Sequence, residues 1–92
     1  VIKSFRSKAL KQFAATGDPS KLPVPKSADR LRRQLMALND AVVPEEMNLP
    51  GWYFHGLQSK PKRWSVRVTG NWRLTFGFDG QDAEAVDLDD YH

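Results

Sequence analysis

The chain reads WSVRVT over residues 64–69 and, past Gly70-Asn71-Trp72, RLTFGF over residues 73–78, alternating apolar and polar side chains on both sides of a turn signal. Successive side chains of a strand point to opposite faces, so this pattern predicts two antiparallel strands with one apolar and one polar face. A two-residue turn at Gly70-Asn71 would oppose Val68 to Arg73 and an apolar face to a polar one. A three-residue loop, Gly70-Asn71-Trp72, instead pairs Val68 with Leu74, Val66 with Phe76 and Trp64 with Phe78, and puts Arg67 opposite Thr75 and Thr69 opposite Arg73 on the other side. A chain built round this hairpin must bring something to the apolar face.

Helices supply it. VIKSF at residues 1–5 reads as a short strand. Ser7 then caps a helix with Leu10, Phe13 and Ala14 on one face and Gly17 as its left-handed stop. DPSKLPVPK at residues 18–26 carries prolines 19, 23 and 25 and is a linker, because proline breaks a helix interior. From Ser27 as cap, Ala28, Leu31, Leu35, Leu38 and Val42 recur at helical spacing, with Arg30, Arg33 and Asp40 off the stripe. After a turn-rich stretch, residues 52–57 form a further strand and residues 83–88 a last one. The predicted class is α+β: an N-terminal strand, two helices, then a mainly antiparallel sheet of three to four strands with the helices on one face. Arg67, Arg73 and His55 are expected on the uncovered face.

With 92 residues the chain is expected to be one domain. It has no cysteine, which excludes disulfides, cysteine-ligated zinc and thiol catalysis. No apolar run reaches the ~20 residues of a membrane span, and the charged start is unlike a signal peptide, so the expectation is a cytoplasmic protein with no membrane partner. Charge is unevenly placed: residues 1–73 hold all 14 basic residues and five acidic ones, net +9, and residues 74–92 hold six acids and no base. A basic body attracts a polyanion, most commonly nucleic acid, although a solvated basic surface has the same composition.

Two histidines, His55 and His92, are the only imidazoles. They lie far apart without ligand-spaced partners, so neither a metal site nor a cofactor is expected. Cleavage of RNA without metal needs a base for the 2′-hydroxyl, a cation for the crowded phosphate oxygens and an acid for the leaving 5′-oxygen. Histidines and an arginine suffice for that chemistry at neutral pH. Asp90 can hold His92 and favour its imidazolium, which suits an acid. Lys60, Lys62 and Arg63, in a loop before Trp64, together with Arg67, are the phosphate-binding candidates, while Trp52 and Trp72 are base-stacking candidates whose plainer role is core packing.

VIKSF at the start, WSVRVTGNWRLTFGF in the middle and DLDDYH at the end resemble the HigB-type toxins of the RelE/ParE toxin-antitoxin superfamily over nearly the whole chain. The resemblance implies a microbial-ribonuclease-like fold, cleavage of messenger RNA on the 70S ribosome, and neutralisation by a HigA-like helix-turn-helix antitoxin. It also implies catalytic roles for His55, in a His-x-Leu pattern, for Arg73 after Asn71-Trp72, and for Asp90, Tyr91 and His92 at the end, with Asn71 beside the RNA. One departure is evident: the family's Pro-Leu-Lys-Gly after the first histidine reads Gly56-Leu57-Gln58-Ser59 here, so one basic contact is missing. A binding-only toxin, like the gyrase-poisoning ParE branch, and a latent nuclease share the fold and remain open alternatives.

Overall fold

The computed structural model describes residues 1–91, and the expectations placed on His92 lie outside the described residues. Helix α1 spans Lys8–Thr16. Its ends follow the sequence: the Ser7 hydroxyl accepts the Leu10 N–H, and Gly17, at φ 77°, donates its N–H to the Phe13 carbonyl. Leu10 and Phe13 are buried, whereas Ala14, read onto the same stripe, is exposed.

Helix α2 spans Ala28–Asp40 and buries Ala28, Leu31, Gln34, Leu35 and Leu38. Ser27 does not cap it. A tight 3-10 turn at Pro25–Ser27 runs into the helix, and Ser27, at ψ 17°, lacks the extended backbone that lets a capping hydroxyl reach back. Val42 falls beyond the helix and is exposed, while Ala41 and Met47 take the buried positions.

Four strands, β1 (His55–Leu57), β2 (Arg63–Arg67), β3 (Trp72–Asp79) and β4 (Asp82–Asp90), form one antiparallel sheet in the order β1-β2-β3-β4. The N-terminal segment adds two parallel bridges to the free edge of β4, Ile2 to Ala83 and Phe5 to Val86. It is not a continuous strand, because β4 bulges against β3 between those bridges and Ala85 sits at φ 49°. One sheet face packs Val66, Leu74, Phe76, Ala83 and Val86 against Leu10, Phe13, Leu31, Leu35 and Leu38 of the helices. Trp52, Trp64 and Trp72 lean on this core, and Trp64 stacks on Phe76 at 6.4 Å between centroids.

The hairpin register differs from the sequence expectation by two residues. Trp64 pairs with Phe76, Val66 with Leu74 and Arg67 with Arg73. The loop keeps three residues but is Thr69-Gly70-Asn71, closed by the Thr69 hydroxyl accepting the N–H groups of Asn71 (3.3 Å) and Trp72 (3.1 Å). A slide of two preserves every side chain's face, so the apolar pattern does not oppose it. What changes is who meets whom on the polar face.

Candidate active site

The register lays the polar face out in rows. His55, Ser65, Thr75 and Asp87 are successive cross-strand partners in one row, and Arg67, Arg73 and Asp89 are partners in the next. Tyr53 extends that second row: Arg67 donates its N–H to the Trp52 carbonyl, and its guanidinium lies 4.1 Å from the Tyr53 ring centre. His55 and Arg73 therefore share a face, two strands and one row apart, or roughly 12 Å between Cα atoms at ordinary sheet spacings.

Arg73 sits at the hairpin tip beside the chain end. One of its terminal nitrogens donates to the carbonyls of Thr69 (2.8 Å), Gly70 (3.1 Å) and Trp72 (3.3 Å). The guanidinium lies 5.5 Å from the ring centre of Tyr91, and Tyr91 donates its N–H to the Asn71 carbonyl. The structure thus brings Arg73, Asn71 and Tyr91 together, with Asp90 on the adjoining strand end. His55 is exposed on short strand β1, on the same face and away from that group.

Arg63 is not a loop residue. It opens β2, is only 8% exposed, and donates to the Thr75 hydroxyl (3.1 Å) and to the Ala85 carbonyl (2.8 Å) at the bulge. Burial, with some help from nearby Arg6, lowers its proton affinity, and Asp89, Asp87 and Tyr91 oppose that shift. Its charge is spent inside the polar face, where it shields Thr75. The signal that it would be buried was weak, since a Lys-x-Lys-Arg run reads as solvated.

Lys60 and Lys62 remain exposed. With Leu57, Gln58 and Ser59 they line an open hollow of about 520 Å³, and Lys62 donates to the Leu57 carbonyl at 3.0 Å. Arg67, half-buried, is anchored by its own backbone: its carbonyl accepts from Arg30 (3.0 and 3.1 Å) and from the Gln34 amide (2.8 Å) of α2.

Sequence reasoning missed the acids and hydroxyls of this face. The Thr75 hydroxyl donates to Asp89 at 2.8 Å, and Asp87 lies next to Asp89. The Asp87 carboxyl is pushed up chiefly by burial and also by Asp89, against a stabilising bond from the Leu88 N–H. Polar residues at alternate positions of β3 and β4 carried the signal, but they read as ordinary exposed strand residues. Among the described residues, no group of three or more histidines and carboxylates is placed to hold a metal ion, and no helix is long and apolar enough to cross a membrane.

A family model described as the RelE-like toxin of type II toxin-antitoxin system HigB matches residues 3–92. The Endoribonuclease HigB of Proteus vulgaris is 36% identical over 93 residues, an alignment covering 100% of both chains.

Proposed function

This chain belongs to the HigB-like family of RelE-like toxins from type II toxin-antitoxin systems, and from that premise we propose that it is an endoribonuclease that cuts messenger RNA on the translating 70S ribosome. The relative's endoribonuclease name supports the reaction. The observation that carries the reading is the sheet face opposite the helices, on which exposed His55 and the carbonyl-anchored guanidinium of Arg73 both stand.

In this reading His55 takes the proton from a ribose 2′-hydroxyl as its oxygen bonds to the adjacent phosphorus. Arg73 stabilises the extra negative charge on the phosphate oxygens, and His92, steadied by Asp90 and flanked by Tyr91, protonates the departing 5′-oxygen. The P–O5′ bond breaks, leaving a 2′,3′-cyclic phosphate and a 5′-hydroxyl. The nucleophile is internal to RNA, so no metal-bound water is required. Lys60, Lys62, Arg67 and Asn71 contact RNA or ribosome, and Arg63 supports the face from within.

The toxin domain is taken as residues 1–92, acting in the cytoplasm. Family membership brings an antitoxin partner, for which a HigA-like helix-turn-helix protein is proposed. Dependence on the ribosome follows from economy: a face of this size has few groups to orient a substrate, and orientation is worth ~7–11 kcal/mol. The test is cleavage of one messenger RNA, free and on programmed 70S ribosomes. Cutting confined to the ribosome is expected, and equally fast cutting of free RNA at matched concentration sinks the ribosome dependence.

A further inference from the structure

Arg73 and Asp89 are direct partners across the β3–β4 ladder, on the same face of the sheet. Opposite charges so placed ordinarily pair, since charge-assisted bonds from arginine to carboxylate are among the strongest side-chain contacts. Among the described residues these two form no ion pair. Arg73 turns instead to the loop carbonyls of Thr69 and Gly70 and to that of Trp72 at the start of β3, which hold it without neutralising it.

The carboxylate is held elsewhere. Its Oδ2 accepts from the Thr75 hydroxyl at 2.8 Å, and that same hydroxyl oxygen accepts from Arg63 at 3.1 Å. A guanidinium has only donors and a hydroxyl has one proton, so Arg63 occupies one lone pair of the Thr75 oxygen and the hydroxyl proton is directed at Asp89. Arg63 is itself pinned by the Ala85 carbonyl, and Thr75 is fully buried. Among the described residues, the side-chain hydrogen bond of Asp89 thus runs to a residue one row away from Arg73.

We infer that Thr75 is a positioning residue for Arg73: it latches the Asp89 carboxylate toward Arg63, and so leaves the charge of Arg73 for an anionic phosphodiester oxygen. This rests on the reading that Arg73 meets the phosphate. The arrangement resolves a conflict in the strand pairing. An acid opposite the arginine helps to hold the sheet's charge in balance, yet a closed ion pair would compete with substrate. A hydroxyl between them, polarised by a buried arginine, keeps both.

The experiment uses the full chain and two readouts, the crystal structure of each variant and the single-turnover cleavage rate of messenger RNA on 70S ribosomes. Thr75→Val removes the hydroxyl at nearly constant shape, and Thr75→Ala does so if valine disturbs the fold. In either variant Asp89 is expected to cross to Arg73, and cleavage to fall about tenfold, the effect of ~1.4 kcal/mol lost from the transition state. Thr75→Ser, which keeps the latch, is expected to cleave at the wild-type rate, and adding Asp89→Asn to Thr75→Val to bring the rate back within about twofold. If the carboxylate stays beside Arg63 without the hydroxyl, the latch is overturned whatever the rate. Failure of Asp89→Asn to restore the rate overturns it too, since the loss then comes from a disturbed sheet. If Asp89 does cross and cleavage is unchanged, the latch geometry stands but the role given to Arg73 fails, and the inference falls with it.

Discussion

Arg67 and Arg73 are direct cross-strand partners on the uncovered face of the sheet. Like charges so placed repel, and the fold answers by turning the two guanidinium groups apart. Arg67 stacks over Tyr53 at 4.1 Å, while Arg73 bonds the carbonyls of the hairpin tip and approaches the Tyr91 ring. Tyr53 takes a left-handed φ of 51° at this place, a strained backbone for an aromatic residue.

Arg73→Ala is expected to separate activity from stability. Loss of transition-state charge stabilisation should lower cleavage ~10²- to 10³-fold. The melting temperature should not fall, because the bonds lost go to part-exposed loop carbonyls and the cross-strand repulsion with Arg67 is relieved. A single-turnover assay and a thermal melt on the same sample check both halves.

His55→Gln and His92→Gln should each slow cleavage ~10²- to 10⁴-fold by removing a proton donor or acceptor. End-group analysis should find a 2′,3′-cyclic phosphate and a 5′-hydroxyl, formed as well when a chelator removes free metal. A 5′-phosphate product, or activity lost to chelator while the ribosomes stay intact, would show the 2′-hydroxyl mechanism to be wrong.

Lys62 and Arg63, adjacent in sequence, should behave oppositely. Lys62→Glu should weaken ribosome binding and reduce the slope of log affinity against log salt by about one, the mark of one phosphate contact. Arg63→Met should leave that slope alone and cost about 2 kcal/mol of stability, roughly a 10 °C fall in melting temperature, because it strands the Ala85 carbonyl and removes the bond that the Thr75 hydroxyl accepts.

Asp87→Asn should stabilise the protein at neutral pH. Burial raises the folded carboxyl above its ordinary value, so the folded state binds this proton more tightly than the unfolded chain does. That contribution is present in full below the ordinary carboxylate range and is lost as pH rises through the raised folded value, leaving ionised Asp87 as a cost. The amide keeps the acceptor for the Leu88 N–H. Melting curves should therefore show the variant above wild type at pH 7 and the advantage gone near pH 3. A variant less stable than wild type at pH 7 would contradict this.

What sequence alone determined here is what local rules encode. Periods of 3.6 and 2 identified the helices and strands, Ser7 and Gly17 marked the ends of α1, and alternation assigned Val66, Leu74 and Phe76 to the core and Arg67 and Arg73 to the other face. The HigB-type resemblance was legible in the same residues and named His55, Arg73 and the Asp90-Tyr91-His92 end. Only the tertiary structure decided the register, because sliding a hairpin by two residues leaves every face unchanged and so costs the hydrophobic pattern nothing. That slide, in which the Thr69 hydroxyl closes the loop, puts Arg67 opposite Arg73 and Ser65 opposite Thr75. The fate of Arg63 was likewise tertiary. Whether an arginine is solvated or buried depends on a hydroxyl and a bulge carbonyl brought from β3 and β4, 12 and 22 residues further along the chain.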